Sequence, residues 1–219
     1  MNIKMLKAAA AGLILSTSTF ANAGLIAFTD EASWLAAVGS VDGTIDFNDI
    51  SSDTSINEST YEYDFFNISE SGAGSFRLDT MPGNSSSGTG IDNTTFLSMV
   101  GATSGSSNMS ITFDVSLEAL AFDTYNYDCG NDNSNIAING VSLGATPTSG
   151  GCPSGTLGFF GVIATGGSVI SSLNFLPVRT SGTYNGFDNF QYSTSIPEPT
   201  TVAIFGLALM GLASRRFKR

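Results

Sequence analysis

Residues 136–143 read IAINGVSL, and the pair Asn139-Gly140 decides how they fold. Two apolar runs flank a dipeptide that accepts the positive φ angles of a type I′ turn, so the stretch predicts a tight β-hairpin. The same texture continues outward, with short runs of Ile, Val, Phe and Tyr set among Gly, Ser, Thr and Asn. In TIDFND (44–49) Ile45 and Phe47 alternate with Asp46 and Asn48. In YEYDFF (61–66) Tyr61, Tyr63 and Phe65 alternate with Glu62 and Asp64, the period of a strand with one buried face. SFRLD (75–79), TFLSMV (95–100), SITFDVS (110–116), ALAFDTY (119–125), LGFFGVIA (157–164), VISSLNFL (169–176) and GFDNFQYS (186–193) read as further strands. Roughly ten short strands with no helix between them predict an all-β fold, an antiparallel β-sandwich of jelly-roll type.

One stretch argues for helix. In FTDEASWLAAVGS (28–40) Thr29 is placed to cap, and Asp30 and Glu31 sit in the positive first turn. Trp34 and Val38 share a face at i, i+4, and Gly39 is placed to close the C-terminus. The fold class is therefore a β-sandwich with one short N-terminal helix.

The chain ends carry segments of another kind. MNIKMLKAAAAGLILSTSTFANA (1–23) has a basic start at Lys4 and Lys7, an apolar run from Ala8 to Leu15, and the small-x-small site Ala21-Asn22-Ala23. Those parts in that order predict a signal peptide cut by signal peptidase between Ala23 and Gly24. The other end reads STSIPEPTTVAIFGLALMGLASRRFKR (193–219). Its apolar run, Thr200 to Ala213, is fourteen residues long, against the roughly 20 of a full bilayer span. Permanent anchoring is thus not its expected use. The predicted organisation is a signal peptide over 1–23, a β-sandwich ectodomain over 24–195 and a C-terminal segment over 196–219.

Charge follows the same division. The chain has 8 basic and 19 acidic residues, net −11, and no histidine. Six of the basic residues lie in the two terminal segments, leaving only Arg77 and Arg179 in residues 24–199, so that body carries −17. Such a body repels phosphate backbones, which excludes nucleic acid as a partner and favours cations or neutral sugars.

The triplet Pro197-Glu198-Pro199, the short apolar run, the basic terminus GLASRRFKR and the leader together resemble a PEP-CTERM protein. This is a family of Gram-negative secreted proteins whose C-terminal tail is recognised by the membrane protease exosortase. The body stretches FTDEASWLAAVG, TIDFND, FFGVIATGGSVISSLNF and GFDNFQYS are similar to a common ectodomain type of the same family, which implies a β-sandwich and no known activity. The resemblance implies export, a transient inner-membrane intermediate, then the cell surface or extracellular matrix, with exopolysaccharide or biofilm association. Physical reading of the tail agrees. Arg215, Arg216, Lys218 and Arg219 hold the C-terminus in the cytoplasm, and the prolines keep the region around Glu198 extended and reachable.

Cys129 and Cys152 flank the hairpin, and in an oxidising compartment an even pair reads as a disulfide. Without histidine there is no Ser-His-Asp or Cys-His arrangement and no usual zinc site. Paired carboxylates of the glycosidase kind stay open in principle, but no motif marks a pair. The expectation is a protein that is not an enzyme and needs no cofactor, with calcium as the one metal to consider. Asp46 and Asp188 sit in the first long strand and the last, which often lie side by side in jelly rolls, and an oxygen cluster there suits calcium. Both also fit as solvent-facing members of alternating strands. NYDCGNDNSN (126–135) lacks the Gly and Glu of an EF-hand loop. An alternative to a matrix role is a carbohydrate-binding module in which Tyr125, Tyr127, Tyr184 and Tyr192 stack on sugar rings; equally, these tyrosines line the sheets.

Overall fold

Strands dominate the computed structural model, which describes residues 24–50, 54–55, 60–72, 75–79, 94–102, 107–126, 134–145, 157–177 and 183–196. In chain order they are β1 (Gly24–Phe28), β2 (Gly43–Ile45), β3 (Thr54–Ser55), β4 (Thr60–Tyr63), β5 (Phe66–Gly72), β6 (Ser75–Asp79) and β7 (Phe96–Ala102). They continue as β8 (Ser107–Leu117), β9 (Ala119–Asn126), β10 (Ser134–Ile138), β11 (Val141–Ala145), β12 (Leu157–Thr165), β13 (Ile170–Pro177) and β14 (Thr183–Ser193). Among the described residues one helix, α1 (Glu31–Val38), lies between β1 and β2.

The hairpin forms as predicted: Asn139 and Gly140 have φ of 50° and 78°, and β10 pairs antiparallel with β11 across them. The strands make two antiparallel sheets. The first has the order β1-β12-β9-β14-β7-β6-β3, with β2 also beside β14; the second has the order β11-β10-β13-β8-β5-β4. The inner faces interdigitate around phenylalanines. Phe122 meets Phe175 edge-on at 5.3 Å and stacks with Phe190 at 5.2 Å, and Phe47, Phe66 and Phe187 are fully buried beside them. Aromatic pairs of this geometry add about 0.5–1.5 kcal/mol each beyond area burial.

Helix α1 covers the outer face of the first sheet. Trp34 and Val38, the predicted face, are buried against Ala119, Ala121 and Ile163. The indole Nε1 donates to the Val162 carbonyl at 3.3 Å. Small residues beneath make room: a Cβ on Gly161 would lie 2.5 Å from Trp34 Cδ1. The N-cap is Asp30, not Thr29, because the helix starts at Glu31 and Asp30 Oδ1 accepts from the Ser33 amide at 2.8 Å. Gly39 closes the helix at φ 82°.

Two further corrections concern strands. YEYDFF is not one strand but the corner of a hairpin, because Asp64 takes φ 53° and turns β4 into β5. β1 went unpredicted; GLIAF is apolar throughout and shows no alternation.

The strand connections sort by end. The β8–β9 turn at Glu118, the Asn139-Gly140 turn, the β12–β13 turn, the start of β1 and the exit from β14 share one end, here called the turn end. Hydrogen bonds tie them: Glu118 N to Ser193 O at 2.8 Å, Ala164 N to Glu118 O at 2.8 Å, and Asn139 Nδ2 to Val169 O at 2.6 Å. At the opposite, loop end, Gly72 pairs with Ser107, Ser134 with Pro177, Leu157 with Tyr125 and Thr183 with Ala102. Connections 73–74, 103–106, 127–133, 146–156 and 178–182 all depart from there. The leader with Ala23, the cysteines Cys129 and Cys152, Tyr127, and the tail from Pro197 lie outside the described residues.

Candidate functional site

The first long strand and the last do lie side by side, with Ile45 opposite Phe190. Asp46 and Asp188 nevertheless point to different surroundings. β2 ends at Ile45 and Phe47 takes φ 53°, so Asp46 opens a turn: it is exposed, and its Oδ1 accepts from the Asn48 amide at 3.2 Å. Asp188 is fully buried, its Oδ1 accepting from the Asn189 amide at 2.7 Å and its Oδ2 from the Thr94 hydroxyl at 3.4 Å. Of the sequence reading as solvent-facing strand members, Asp46 keeps the exposure but not the strand, and Asp188 keeps the strand but not the exposure.

The neighbour that sequence reading missed is Asp123. It stands opposite Asp188 in the β9–β14 register, and Asn189, at φ 51° in a bulge of β14, donates its Nδ2 to Asp123 Oδ2 at 2.9 Å. A bulge re-aims a side chain in this way. Nothing in ALAFDTY marks Asp123 apart from alternation, and only the pairing of β9 with β14 brings it to Asp188. Among the described residues no three or more His, Cys, Asp or Glu side chains gather as a metal-binding group.

The tyrosines considered for sugar stacking divide similarly. Tyr125 is buried, and Tyr192 packs edge-on against Phe65 at 4.6 Å and lies over Gly43. Tyr192 lines the sandwich core, whereas Tyr125 shares the parity of Ala119 and Ala121 on the outer face of the first sheet. Tyr63, stacked with Tyr61 at 6.5 Å, donates its hydroxyl to Asp49. Burial first, and then that carboxylate, raises its pKa above the usual phenol value.

The chain leaves β14 under restraint. Asp42 Oδ2 accepts from both the Thr194 amide, at 2.7 Å, and its hydroxyl, at 2.6 Å. These donors hold the Asp42 carboxyl below the usual carboxylate range. A depressed folded-state pKa means that this contact contributes fully above the ordinary carboxylate value and is lost as pH falls through the lowered one. Ile196 donates its amide to Glu118 Oε2 at 2.7 Å and packs against the Trp34 cluster. From residue 195 onward the sequence matches the profile described as the PEP-CTERM protein-sorting motif, over residues 195–219.

The chain ends in a PEP-CTERM protein-sorting motif. The PEP-CTERM motif implies processing by exosortase, export, and a membrane-anchored sorting signal. It covers the triplet Pro197-Glu198-Pro199 and the basic residues Arg215, Arg216, Lys218 and Arg219. Its first two residues, Ser195 and Ile196, are part of the folded body. Among the described residues no helix is long and apolar enough to cross a membrane.

Solved structures similar to this chain include carbohydrate-binding modules and an adhesin domain. A family 35 carbohydrate-binding module from Clostridium thermocellum aligns at 13% identity with a TM-score of 0.37, covering 66% of this chain and 100% of the module. The K1 cleaved adhesin domain of Lys-gingipain from Porphyromonas gingivalis aligns at 9% and 0.42, covering 66% and 99%. A family 11 carbohydrate-binding module of a Clostridium thermocellum cellulosomal cellulase aligns at 10% and 0.32, covering 71% and 97%. Likeness at this level transfers no ligand. Among curated proteins none matches the chain in sequence.

Proposed function

We propose that this is an exported, non-enzymatic surface or matrix protein of a Gram-negative bacterium, released by exosortase and associated with exopolysaccharide. The observation that carries the reading is the PEP-CTERM motif set directly after the last strand. The division into a signal peptide over 1–23, an ectodomain and a sorting tail belongs to the same proposal. The −17 body and the absence of histidine support a binding or structural role over catalysis. Intact mass of the protein recovered from its native host tests it. Loss of residues 1–23 and of everything beyond the Pro-Glu-Pro region is expected, and retention of Arg216 in the mature form would refute the sorting reading. A glycan array then separates recognition of a defined sugar, the carbohydrate-binding alternative, from bulk association with matrix.

Two smaller assignments complete the proposal. Cys129 and Cys152 are joined as a disulfide, supported by the strands that lead to them: β9 and β12 are neighbours, with Tyr125 opposite Leu157. Of the pair Asp46 and Asp188, calcium is assigned to Asp188, supported by Asp123 opposite it in the β9–β14 register and by the Thr94 hydroxyl oxygen beside its Oδ2. Asp46, turned into its own loop, contributes less. At fixed ionic strength, millimolar calcium is expected to raise the melting temperature more than magnesium or sodium does, because calcium accepts an irregular oxygen cage. Saturation to a hundred times Kd corresponds to about 2.7 kcal/mol. Asp188→Asn should remove the difference. Equal shifts from all three salts would take Asp188 off the list of ligands.

A further inference from the structure

Both ends of the folded body meet at the turn end. Gly24 pairs with Thr165 at the start of β1. Ser193 pairs with Ala119 at the end of β14, and Ala119 pairs with Ile163, two residues from Thr165. β1, β12, β9 and β14 are consecutive in the sheet, so the two chain ends stand three strand spacings apart, ~14 Å. The sequence read as leader stops one residue before Gly24, and the sorting motif begins at residue 195.

The exit has no slack. Thr194 is bonded to Asp42, the Ser195 amide to Ser193 Oγ at 3.4 Å, and Ile196 to Glu118. Only Pro197, Glu198 and Pro199 separate Ile196 from Thr200, where the apolar run starts, and fully extended they reach ~14 Å. A body held this close to lipid does not tumble freely as one on a flexible linker does. That end exposes Val115 of β8 at 42%, Val141 at 56% and Val169 at 40%; the loop end exposes Leu157 at 59% and Leu176 at 37%, so the short exit, not apolar exposure, selects which end meets the lipid. No lysine or arginine occurs between Arg77 and Arg179, so lipid contact there is apolar, not a matter of basic residues on anionic headgroups.

Resting on the sorting reading above, we propose that the turn end, through Val115, Val141 and Val169, sits on the surface of the membrane that holds the sorting segment, so that the loop end faces away. β14, with 11 residues, spans the body, which sets the loop end ~35 Å farther out. The uncut precursor thus turns the loop end of its strands outward and keeps the exit from β14 against the membrane.

The test uses the full-length precursor in vesicles containing nitroxide-labelled lipid. A fluorophore is placed on single introduced cysteines, Val141→Cys or Val169→Cys at the turn end and Ala145→Cys or Leu176→Cys at the loop end. The unsubstituted chain, labelled in parallel, serves as blank for Cys129 and Cys152. Quenching several-fold greater at Val141 and Val169 than at Ala145 and Leu176 is expected. Equal quenching in a chain that floats with the vesicles would overturn the orientation and leave sorting intact. A chain that does not float would overturn the sorting reading and the orientation with it. A flexible Gly-Ser linker inserted between Ile196 and Pro197 is expected to bring the four positions toward parity; an unchanged ratio would overturn the role given to the short exit.

Discussion

Replacing Trp34 with alanine is expected to destabilise the body by about 3–5 kcal/mol, the range for truncating a large buried aromatic side chain. Trp34 is fully buried, and it is the only tryptophan in the chain. Its ring is the main apolar contact of an eight-residue helix with the sheet, over Ala119, Ala121 and Ile163. It is tilted against Phe159 at 6.0 Å, and its Nε1 bond to Val162 O is lost with it. An isolated helix of that length is not stable in water, so α1 depends on this anchor. Gly161→Val attacks the same contact from below, because a Cβ there lies 2.5 Å from the indole and meets the ring wall, not the tip of a flexible chain. Urea denaturation followed by far-UV circular dichroism reads both variants. A loss under about 1 kcal/mol for Trp34→Ala, well short of the cavity cost, would mean that the helix is not held by the indole.

Reduction of the disulfide proposed between Cys129 and Cys152 is expected to lower stability by about 3 kcal/mol, the chain-entropy value for a loop of this order. The described strands favour the pairing. Tyr125 and Leu157 stand opposite each other at the loop end, four residues before Cys129 and five after Cys152, so both cysteines are reached from adjacent strand ends. Alkylation of the denatured, unreduced protein should label neither cysteine, and reductant should shift the urea midpoint downward. Labelling of both, with no shift on reduction, would remove the crosslink and the stabilisation assigned to it.

Local chemistry explains what was legible in the sequence. Asn139-Gly140 announces its own backbone angles, and Trp34 and Val38 announce a helix face, because each signal sits within a few residues of its effect. Alternation placed Ile45 and Phe47 inside, and both are buried. The break at Asp64 was hidden, since a residue that accepts φ 53° also alternates well in a strand. The burial of Asp188 was hidden for a different reason. Its neighbours come from β9 and from the residues before β7, and no local pattern says which strands β14 will separate. The same holds for the exit: Asp42 and Glu118 read as plain surface acids until the sheet order brings them to Thr194 and Ile196.

The place of β14 in the sheet order sets a condition on manufacture. It is the last strand to be made, yet it lies at the middle of the first sheet, with β9 on one side and β7 and β2 on the other. Remove it and that sheet falls into two pieces with exposed edges, which are prone to aggregate. Any chain cut short before residue 183 therefore cannot assemble the body. The sorting motif follows that strand within two residues, so the ability to fold and the address label arrive together, and an incomplete product has neither.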